Sequence, residues 1–267
     1  MAGTVRSDIA WSTTDQINVR GHDLASEILG HMSLADFSYL QLTGRVPTAE
    51  EGRVYNAILV TLVEHGLTPS ALAARLTYIG APEALQSAVA AGLCGLGSVF
   101  VGSTETSAKM MTDVLPLDVG LAGADAVDLD ELARTIVADH RERGAIVPGI
   151  GHPIHKPIDP RTPRLFEIGR ENGFDGRYVE LVQKVSAEAS ERSGKDLPVN
   201  ATGAIGALSC ELGFPWTVIR GFGVMARAIG LVGHILEESV QPMARQVWMD
   251  AEEQSSRHAR PGNGGAQ

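Results

Sequence analysis

Apolar residues recur at helical spacing along most of the chain. From Asp128 to Arg143 they fall on one stripe at i, i+3, i+4, i+7 and i+8, with acidic residues in the first turn. The segment from Arg177 to Gly194 repeats the pattern, with apolar positions at Tyr178, Leu181, Val182 and Val185. An apolar stripe with a polar opposite face is typical of a helix packed on a core. The two segments therefore predict amphipathic helices, the second ending at Gly194.

Two other segments are apolar almost all round, VYNAILVTLV at 54–63 and ALQSAVAAGLCGLG at 84–97. This composition predicts helices buried on several sides. Strand signal is confined to the alternation of Ile17 and Val19, which predicts a small hairpin. The polar, glycine-rich stretch from Asp250 to the end is expected to be disordered. The predicted fold class is all-α.

Composition and charge narrow the partners. The 267 residues carry a net charge of −10, so no basic excess is available for nucleic acid or an anionic membrane, and single arginines become informative about an anionic ligand. Cys94 and Cys210 stand far apart in apolar surroundings and fit reduced core residues. The N-terminus lacks the apolar run of a signal peptide, and the apolar stretch 221–236 is interrupted by Arg227 and His234. We expect a cytoplasmic protein without a membrane span.

One stretch is poor core material and rich in chemistry: GIGHPIHKPIDPR, from Gly149 to Arg161. Its glycines permit unusual backbone angles and leave room for a ligand beside His152, and its prolines stiffen the loop. Lys156 and Arg161 supply cations for phosphate or carboxylate. His152 and His155 would suit a metal, but no cluster of Cys, Asp or His completes a site, so we predict no metal. We interpret the stretch as a substrate loop; a solvated loop without a role is the alternative.

Several candidate residues also have a plain explanation at a helix end. His65 follows a buried helix and precedes Gly66, as a dipole-complementing histidine with a glycine cap would. Asn200 and Thr202 precede a buried, glycine-containing helix and are residue types preferred at N-caps. Thr162, followed by a proline, predicts another N-cap. The sequence leaves the structural and the functional interpretations open.

Arg227 lies in the apolar segment VMARAIGLVGHILEE. A buried guanidinium without a partner costs several kcal/mol, so a carboxylate is expected beside it. A structural carboxylate such as Glu237 and a carboxylate of the substrate are equally compatible with the sequence.

Taken together, these motifs resemble the citrate synthase superfamily, and most closely its short citryl-CoA lyase-like branch. The resemblance runs from INVRGHDL through SYLQLTGRVPTAEE, VEHG, AGLCGLGSVFVGSTETSAKMM, GIGHPIHKPIDPR and NATGAIGAL to ARAIGLVGHILEE. It implies an all-α fold with a large helical domain, here 1–102 and 215–249, and an inserted smaller helical domain, 103–214, followed by a disordered tail at 250–267. It also implies an active site in a cleft, and a homodimer or higher homo-oligomer.

The same resemblance implies roles for individual residues. His65 matches a histidine that polarises a carbonyl or binds the hydroxyl of the acid, and His152 matches the second active-site histidine. Lys156 falls where the family binds the phosphates of coenzyme A. Two further positions, Arg161 and Arg227, fall where it clamps substrate carboxylates.

Several positions depart from the family pattern. Val101 stands where full-length citrate synthases carry a histidine that citryl-CoA lyases also lack, which favours the lyase branch. Thr202 stands where the family has the aspartate base, and a hydroxyl cannot accept a proton near neutral pH. Loss of a positioned general base typically lowers the rate about 10²–10⁴-fold. Asn200 and Thr202 can still contribute hydrogen-bond donors. His152 and Glu64 are candidate replacement bases.

Two family arginines are also missing, because Pro153 and Gln241 occupy their positions. Fewer cationic clamps suggest a substrate with fewer negative charges than citrate. The leading hypothesis is a lyase that cleaves a 3-hydroxyacyl-CoA by a retro-aldol route, with coenzyme A entering as the substrate thioester. A citrate or 2-methylcitrate synthase-like condensation, and a catalytically decayed binder of CoA esters, are the alternatives.

Overall fold

The computed structural model describes residues 5–122, 127–151 and 156–260. Most of this part of the chain is helical: α1 (Leu34–Thr43), α2 (Ala49–Val63), α3 (Pro69–Gly80), α4 (Leu85–Cys94), α5 (Gly102–Val114), α6 (Leu117–Leu121), α7 (Leu129–Glu142), α8 (Arg161–Glu171), α9 (Arg177–Ser193), α10 (Ala201–Glu211), α11 (Trp216–Val240) and α12 (Ala244–Ser256). Short π-helical turns occupy Leu24–Ile28 and Gly97–Val101, and a 3-10 turn occupies Arg257–Ala259. The all-α prediction is confirmed.

The two amphipathic helices appear as α7 and α9, with the ends that their sequences encode. The carboxylate of Asp128 caps α7 by accepting from the backbone N–H groups of Asp130 and Glu131. Helix α9 ends at Gly194, whose φ of 65° gives the left-handed conformation favoured after a helix. Local chemistry therefore fixes both boundaries.

The predicted hairpin is part of a three-stranded antiparallel sheet of β1 (Ala10–Ser12), β2 (Ile17–Val19) and β3 (His22–Asp23). Val19 pairs with Ala10 on one side and His22 on the other, and it is the buried residue of β2. Arg20 and Gly21, with φ of 52° and 88°, form the tight turn between β2 and β3.

The chain divides into two compact units. Unit 1 comprises Met1–Thr61 and Ser103–Ile219, and unit 2 comprises Leu62–Gly102 and Arg220–Gln267. The predicted domains, 1–102 with 215–249 and 103–214, follow different limits and stay a prediction. Helix α12 runs through Asp250, where a disordered tail was expected to begin, and residues 261–267 lie outside the described part of the chain.

Unit 1 is built around α9, which packs against α7 and α10, while α10 also packs against α8. Glu211, the last residue of α10, accepts hydrogen bonds from the backbone N–H groups of Tyr178 and Val179 and so caps the N-terminus of α9. Elsewhere in the unit the rings of Tyr39 and Phe214 meet edge to face with centroids 5.3 Å apart. Helix α10, buried along nearly its whole length, is the fixed element on which the loop described below rests.

Unit 2 is formed by α3, α4, α12 and most of α11, with α3 packed against both α4 and α12. Ala74, Ala88, Leu231 and Ile235 form its core. Helix α11 is long and apolar enough to cross a membrane by length and composition, yet its Arg227 and Ile235 are buried in this unit.

The expectation that 84–97 is buried on several sides is not met within this chain. Only Ala88 and Gly92 of α4 are buried. Large apolar side chains remain exposed over unit 2: Leu67, Leu76, Ile79, Leu85, Val99, Phe100, Val224, Ile229, Val232, Leu236, Val240, Trp248 and Met249. The apolar excess in the sequence therefore corresponds to surface in the isolated chain.

Candidate active site

The start of the predicted substrate loop is anchored to the segment before α10. Gly149 and Gly151 have φ of 83° and 67°, a region that favours glycine. A Cβ at Gly149 would lie 2.6 Å from both the Cα of Gly203 and the Oγ of Ser107, so the position admits no side chain. Backbone hydrogen bonds of 2.7 Å from Gly151 to Pro198 and 3.0 Å from Asn200 to Gly149 complete the attachment.

Asn200 joins this loop to the helix. Its Oδ1 accepts from the backbone N–H groups of Thr202 and Gly203 at 2.9 and 3.1 Å, and its Nδ2 donates to the carbonyl of Gly151 at 2.5 Å. The hydroxyl of Thr202 also donates to Oδ1, at 2.8 Å. The N-cap interpretation is therefore right for Asn200, while Thr202 lies inside the first turn with its proton committed to Asn200.

The far end of the loop is held by an acidic residue that the sequence reasoning missed. Asp159 is 1% exposed and accepts from Nε and Nη2 of Arg161 at 2.9 and 2.8 Å, and from the backbone N–H of Ala201 at 3.1 Å. Burial alone raises the pKa of Asp159, but these donors outweigh it and lower the pKa to about 2. The only sequence signal for this pairing was the position of Asp159 two residues before Arg161.

This pairing also moves the start of α8. The helix begins at Arg161, so Thr162 is not its N-cap as predicted. The Thr162 hydroxyl is buried and makes no hydrogen bond to any residue that the structure describes. The backbone N–H of Arg161 instead donates to Oδ1 of Asp159 at 3.1 Å, so the side-chain acceptor at this helix start comes from an aspartate three residues before Thr162.

Arg161 keeps a partly open side. Its side chain is 30% exposed, and it lines a groove of about 520 Å³ between α2 and α8, together with Arg53, Arg164 and the apolar Leu165. Lys156 is exposed, and no ion pair involves it within the described residues. Unit 1 therefore presents cations beside an anchored loop.

In unit 2, His65 follows the end of α2. The helix ends at Val63, and Gly66 adopts a φ of 72°, as a helix-terminating glycine does. His65 is exposed, and its backbone N–H donates to Oε1 of Glu64 at 2.8 Å. The turn that carries His65 is therefore fixed by the preceding side chain.

Arg227, in the same unit, is 8% exposed and has no carboxylate hydrogen-bonded to it among the described residues. Its Nη1 donates to the hydroxyl of Thr68 at 3.2 Å, and its buried Nε has no hydrogen-bond partner in the described part of the chain. Burial lowers the pKa of Arg227, against the charge of Glu64. Glu237, the structural partner considered for it, pairs instead with Arg75.

The structure thus assembles Arg161, Asn200 and Thr202 in unit 1, and holds His65 and Arg227 in unit 2. His152 and His155 lie outside the described residues. Within the described ranges, no group of three or more His, Cys, Asp or Glu residues is arranged to hold a metal ion. Arg75 in unit 2 and Asp159 in unit 1, which sequence reasoning did not single out, are each 1% exposed and are the most deeply buried charged residues of the described ranges.

Known proteins similar to this chain were compared by sequence. The model of the citrate synthase C-terminal domain matches residues 4–246. ATP-citrate synthase beta chain protein 1 of Arabidopsis thaliana is 26% identical over 214 residues, which cover 72% of this chain and 32% of the relative. Citrate synthase of Deinococcus radiodurans is 23% identical over 224 residues, 82% of this chain and 55% of the relative. The chain spans about a third to a half of the length of these relatives.

Solved structures give a similar picture. Citryl-CoA lyase from Hydrogenobacter thermophilus superposes with a TM-score of 0.76 and 33% identity, covering 88% of this chain and 86% of that one. ATP citrate lyase from Methanothrix soehngenii, in complex with citrate and coenzyme A, superposes with a TM-score of 0.72 and 21% identity, covering 90% and 39%. The second likeness concerns the fold alone.

Proposed function

Because the chain belongs to the citrate synthase family, we propose that it is a citryl-CoA lyase-like enzyme that cleaves a 3-hydroxyacyl-CoA. The family resemblance and the citrate synthase-like fold are confirmed, and the chain is an enzyme of the lyase or acyltransferase type. The lyase is favoured because the Hydrogenobacter citryl-CoA lyase is similar over most of the length of both chains. Citryl-CoA, or an analogue with fewer charges, is the proposed substrate.

The single observation that carries the proposal is Arg227. A guanidinium that is 8% exposed, and whose one hydrogen bond to the described residues goes to a hydroxyl, retains strong donors in a site of low dielectric. Such a group matches a carboxylate arriving from outside the chain, because charge-assisted hydrogen bonds are the strongest that arginine makes. A carboxylate on the acid part of the substrate would supply the missing partner.

The proposed reaction is a retro-aldol cleavage. A base removes the proton of the 3-hydroxyl, the oxygen forms a carbonyl, and the electrons of the adjacent carbon–carbon bond pass to the thioester as an enolate. Protonation of the enolate carbon releases the shorter CoA thioester, and the acid leaves as an oxo acid. Donors aimed at the enolate oxygen provide the main stabilisation in such chemistry.

In this proposal the residues divide the work. His65 and His152 handle the hydroxyl proton and the developing enolate. Asn200 and Thr202 hold the loop and the first turn of α10 in place through their hydrogen bonds. Arg161 contributes the open side of its guanidinium, since its Nε and Nη2 are already bonded to Asp159.

Lys156 anchors the phosphates of coenzyme A in the same proposal. The proposed cofactor is coenzyme A, as part of the substrate. Two solved structures of similar fold support it: Methanothrix ATP citrate lyase is in complex with citrate and coenzyme A, and Methanosaeta ATP citrate lyase is in complex with (3S)-citryl-CoA. Gln241 and Pro153, in place of two family arginines, favour an acid less charged than citrate.

The test is direct. We would incubate the purified chain with citryl-CoA and with 3-hydroxyacyl-CoA analogues that carry one or two carboxylates, and follow CoA esters by mass spectrometry. We expect cleavage, fastest for an analogue with fewer carboxylates than citryl-CoA. Folded protein that cleaves none of them would overturn the proposal.

Two other candidate functions are each favoured by one observation. The similarity to Deinococcus citrate synthase favours condensation, which product analysis from acetyl-CoA or propionyl-CoA and a 2-oxoacid would detect. Thr202 in place of the aspartate base favours a decayed binder, which would retain CoA esters without converting them. Net turnover in either direction separates these candidates from each other.

We also propose that the chain forms a homodimer through the exposed apolar side chains of unit 2. Leu236 and Val240, one turn apart on α11, are 67% and 71% exposed, and exposed apolar side chains grouped in this way are typical of an interface. Sedimentation should give a dimer, and changing both residues to lysine should give a monomer. The matched control is Ile146→Lys, at an apolar residue of unit 1 that is 88% exposed; a monomeric wild type contradicts the proposal.

A further inference from the structure

Unit 2 contains a buried polar network that the proposed reaction does not use. Its centre is Arg75 on α3, which is 1% exposed. The guanidinium donates to Oε2 of Glu238 at 2.9 Å, to Glu237, and to Nδ1 of His234 at 3.1 Å from Nε and 2.9 Å from Nη2. The other carboxylate oxygen of Glu238 accepts from the backbone N–H of Ala244 at 2.9 Å, where α12 begins.

The network fixes the tautomer of His234. An arginine side chain has only donors, so Nδ1 of His234 must accept from Arg75. The ring hydrogen therefore resides on Nε2, which lies 3.1 Å from Glu64 and donates to it. The side chain of His234 is 12% exposed, so water offers little competition for the bond from Arg75, whereas the carboxylate of Glu64 on the other side is partly exposed.

Glu64 carries the connection onward to the proposed catalytic histidine. Its Oε1 accepts both from Nε2 of His234 and from the backbone N–H of His65. Burial alone raises the pKa of Glu64, but the donors at His65 and His234 outweigh it and the pKa is lowered. The carboxylate is therefore ionised, bonded on two sides and held at the base of the His65 turn.

We propose that His234 is a positioning residue, which orients the His65 turn by linking buried Arg75 to the carboxylate of Glu64. This inference rests on the proposed function in that His65 acts on the substrate. It assigns no chemistry to His234 itself. The backbone of the His65 turn keeps its position because its N–H is bonded to a carboxylate that also accepts from His234 of α11.

A purely structural role for His234 is the alternative, and the contacts argue against it. Arg75 already has two carboxylate partners, Glu237 and Glu238, so its charge is balanced without the imidazole. The Nε2 side of His234 bonds to Glu64, whose side chain is 45% exposed and needs no buried partner. That half of the ring therefore contributes orientation more than stability.

Two substitutions of His234 distinguish the role of Nδ1 from that of Nε2. An asparagine oxygen can reach the position of Nδ1 and accept from Arg75, but the side chain is too short to reach Glu64. A glutamine nitrogen can reach the position of Nε2 and donate to Glu64. We expect His234→Asn to lower kcat about 10–100-fold with little change in KM or unfolding temperature, because small displacements of catalytic groups cost about that much. His234→Gln should stay within about threefold of wild type.

The control and a second readout complete the test. His258→Asn, at an exposed histidine in the last described turn, should change nothing. Amide hydrogen exchange at His65 should be faster in His234→Asn than in wild type or His234→Gln, whether or not the protein cleaves a CoA ester. Wild type without turnover would remove the proposed function alone; unchanged exchange at His65, or equal losses of kcat in both variants, would overturn the positioning role.

Discussion

Arg161 in unit 1 and Arg227 in unit 2 have the same predicted role but opposite surroundings. Arg161 is bonded through two nitrogens to Asp159, with its side chain 30% exposed. Arg227 is more deeply buried, and its one hydrogen bond to a described residue goes to a threonine hydroxyl. The first arginine is bonded to a carboxylate inside the chain, whereas no carboxylate of the described residues is bonded to the second, on which Glu64 acts only through its charge.

The difference indicates that the Arg161 pair stabilises the fold, whereas Arg227 serves to bind a ligand. A carboxylate inside the chain lets Arg161 fasten the substrate loop to α10, since Asp159 also bonds Ala201. An arginine without such a partner lowers the stability of the folded state and retains strong donors for a ligand. We therefore expect Asp159 to matter for folding and Arg227 for turnover.

The largest effect should come from Arg227. Arg227→Gln should lower kcat/KM for the cleaved CoA ester about 10²–10³-fold, because a buried carboxylate contact is lost. The free energy of unfolding should stay the same or rise, because a poorly compensated buried charge disappears. Steady-state kinetics and urea unfolding measure the two quantities. Arg143→Gln, at the exposed C-cap residue of α7, is the control; a large loss of stability in Arg227→Gln would show a structural role instead.

Asp159→Ala should lower the stability of the fold, the quantity that Arg227→Gln is expected to leave unchanged or raise. It leaves the guanidinium of Arg161 and the N–H of Ala201 without their acceptor, which we expect to lower the free energy of unfolding by about 3 kcal/mol. Chemical denaturation measures the change. Asp139→Ala, at an exposed aspartate of α7, should have little effect. Equal stability of the two variants would mean that the Asp159 pair does not hold the loop.

The same pair predicts a pH dependence. The pKa of Asp159 is about 2 when folded, below the ordinary 3.8, so protons bind more tightly to the unfolded chain. The contribution, about 2 kcal/mol, is present above pH 4 and is lost as the pH falls from about 4 towards 2. Unfolding of wild type and Asp159→Asn followed from pH 6 to 2 should converge at the acid end; parallel curves would contradict the assignment.

Thr202 tests whether the site is specialised or decayed. A carboxylate at this position would face Oδ1 of Asn200, which now accepts the threonine proton, and would disturb the cap that holds the loop. We expect Thr202→Asp to lower kcat for cleavage about tenfold and Thr202→Ser to resemble wild type, the tenfold being about 1.4 kcal/mol. A large gain of cleavage in Thr202→Asp would identify an enzyme that lacks its base.

The smallest effect is expected at Lys156. This exposed cation is proposed to meet the phosphates of coenzyme A in water, where such contacts are weak. Lys156→Gln should raise KM for the CoA ester about fivefold, and the difference should shrink in high salt. Lys195→Gln, at another exposed lysine, is the control; a KM that does not change would remove Lys156 from the site.

Sequence reasoning found what local chemistry determines. Helices α7 and α9 follow from their apolar stripes and caps, and the glycines and cations of the loop follow from composition. Thr162 was wrong as a cap because Asp159, brought against the helix start, supplies the acceptor earlier. Glu237 was an open choice as the partner of Arg227 because the pairing of side chains depends on how α3 lies against α11, which no local pattern encodes.

The contact of Gly149 with Gly203 has a consequence for variation in this chain. A Cβ on either residue would collide with the backbone of the other. No substitution of a neighbouring side chain can therefore make room for a larger residue at either position. In a deep mutational scan, no substitution of either glycine should be tolerated, and no double substitution should restore function. Engineering of substrate preference would therefore require changes elsewhere in the loop, with this glycine pair left unchanged.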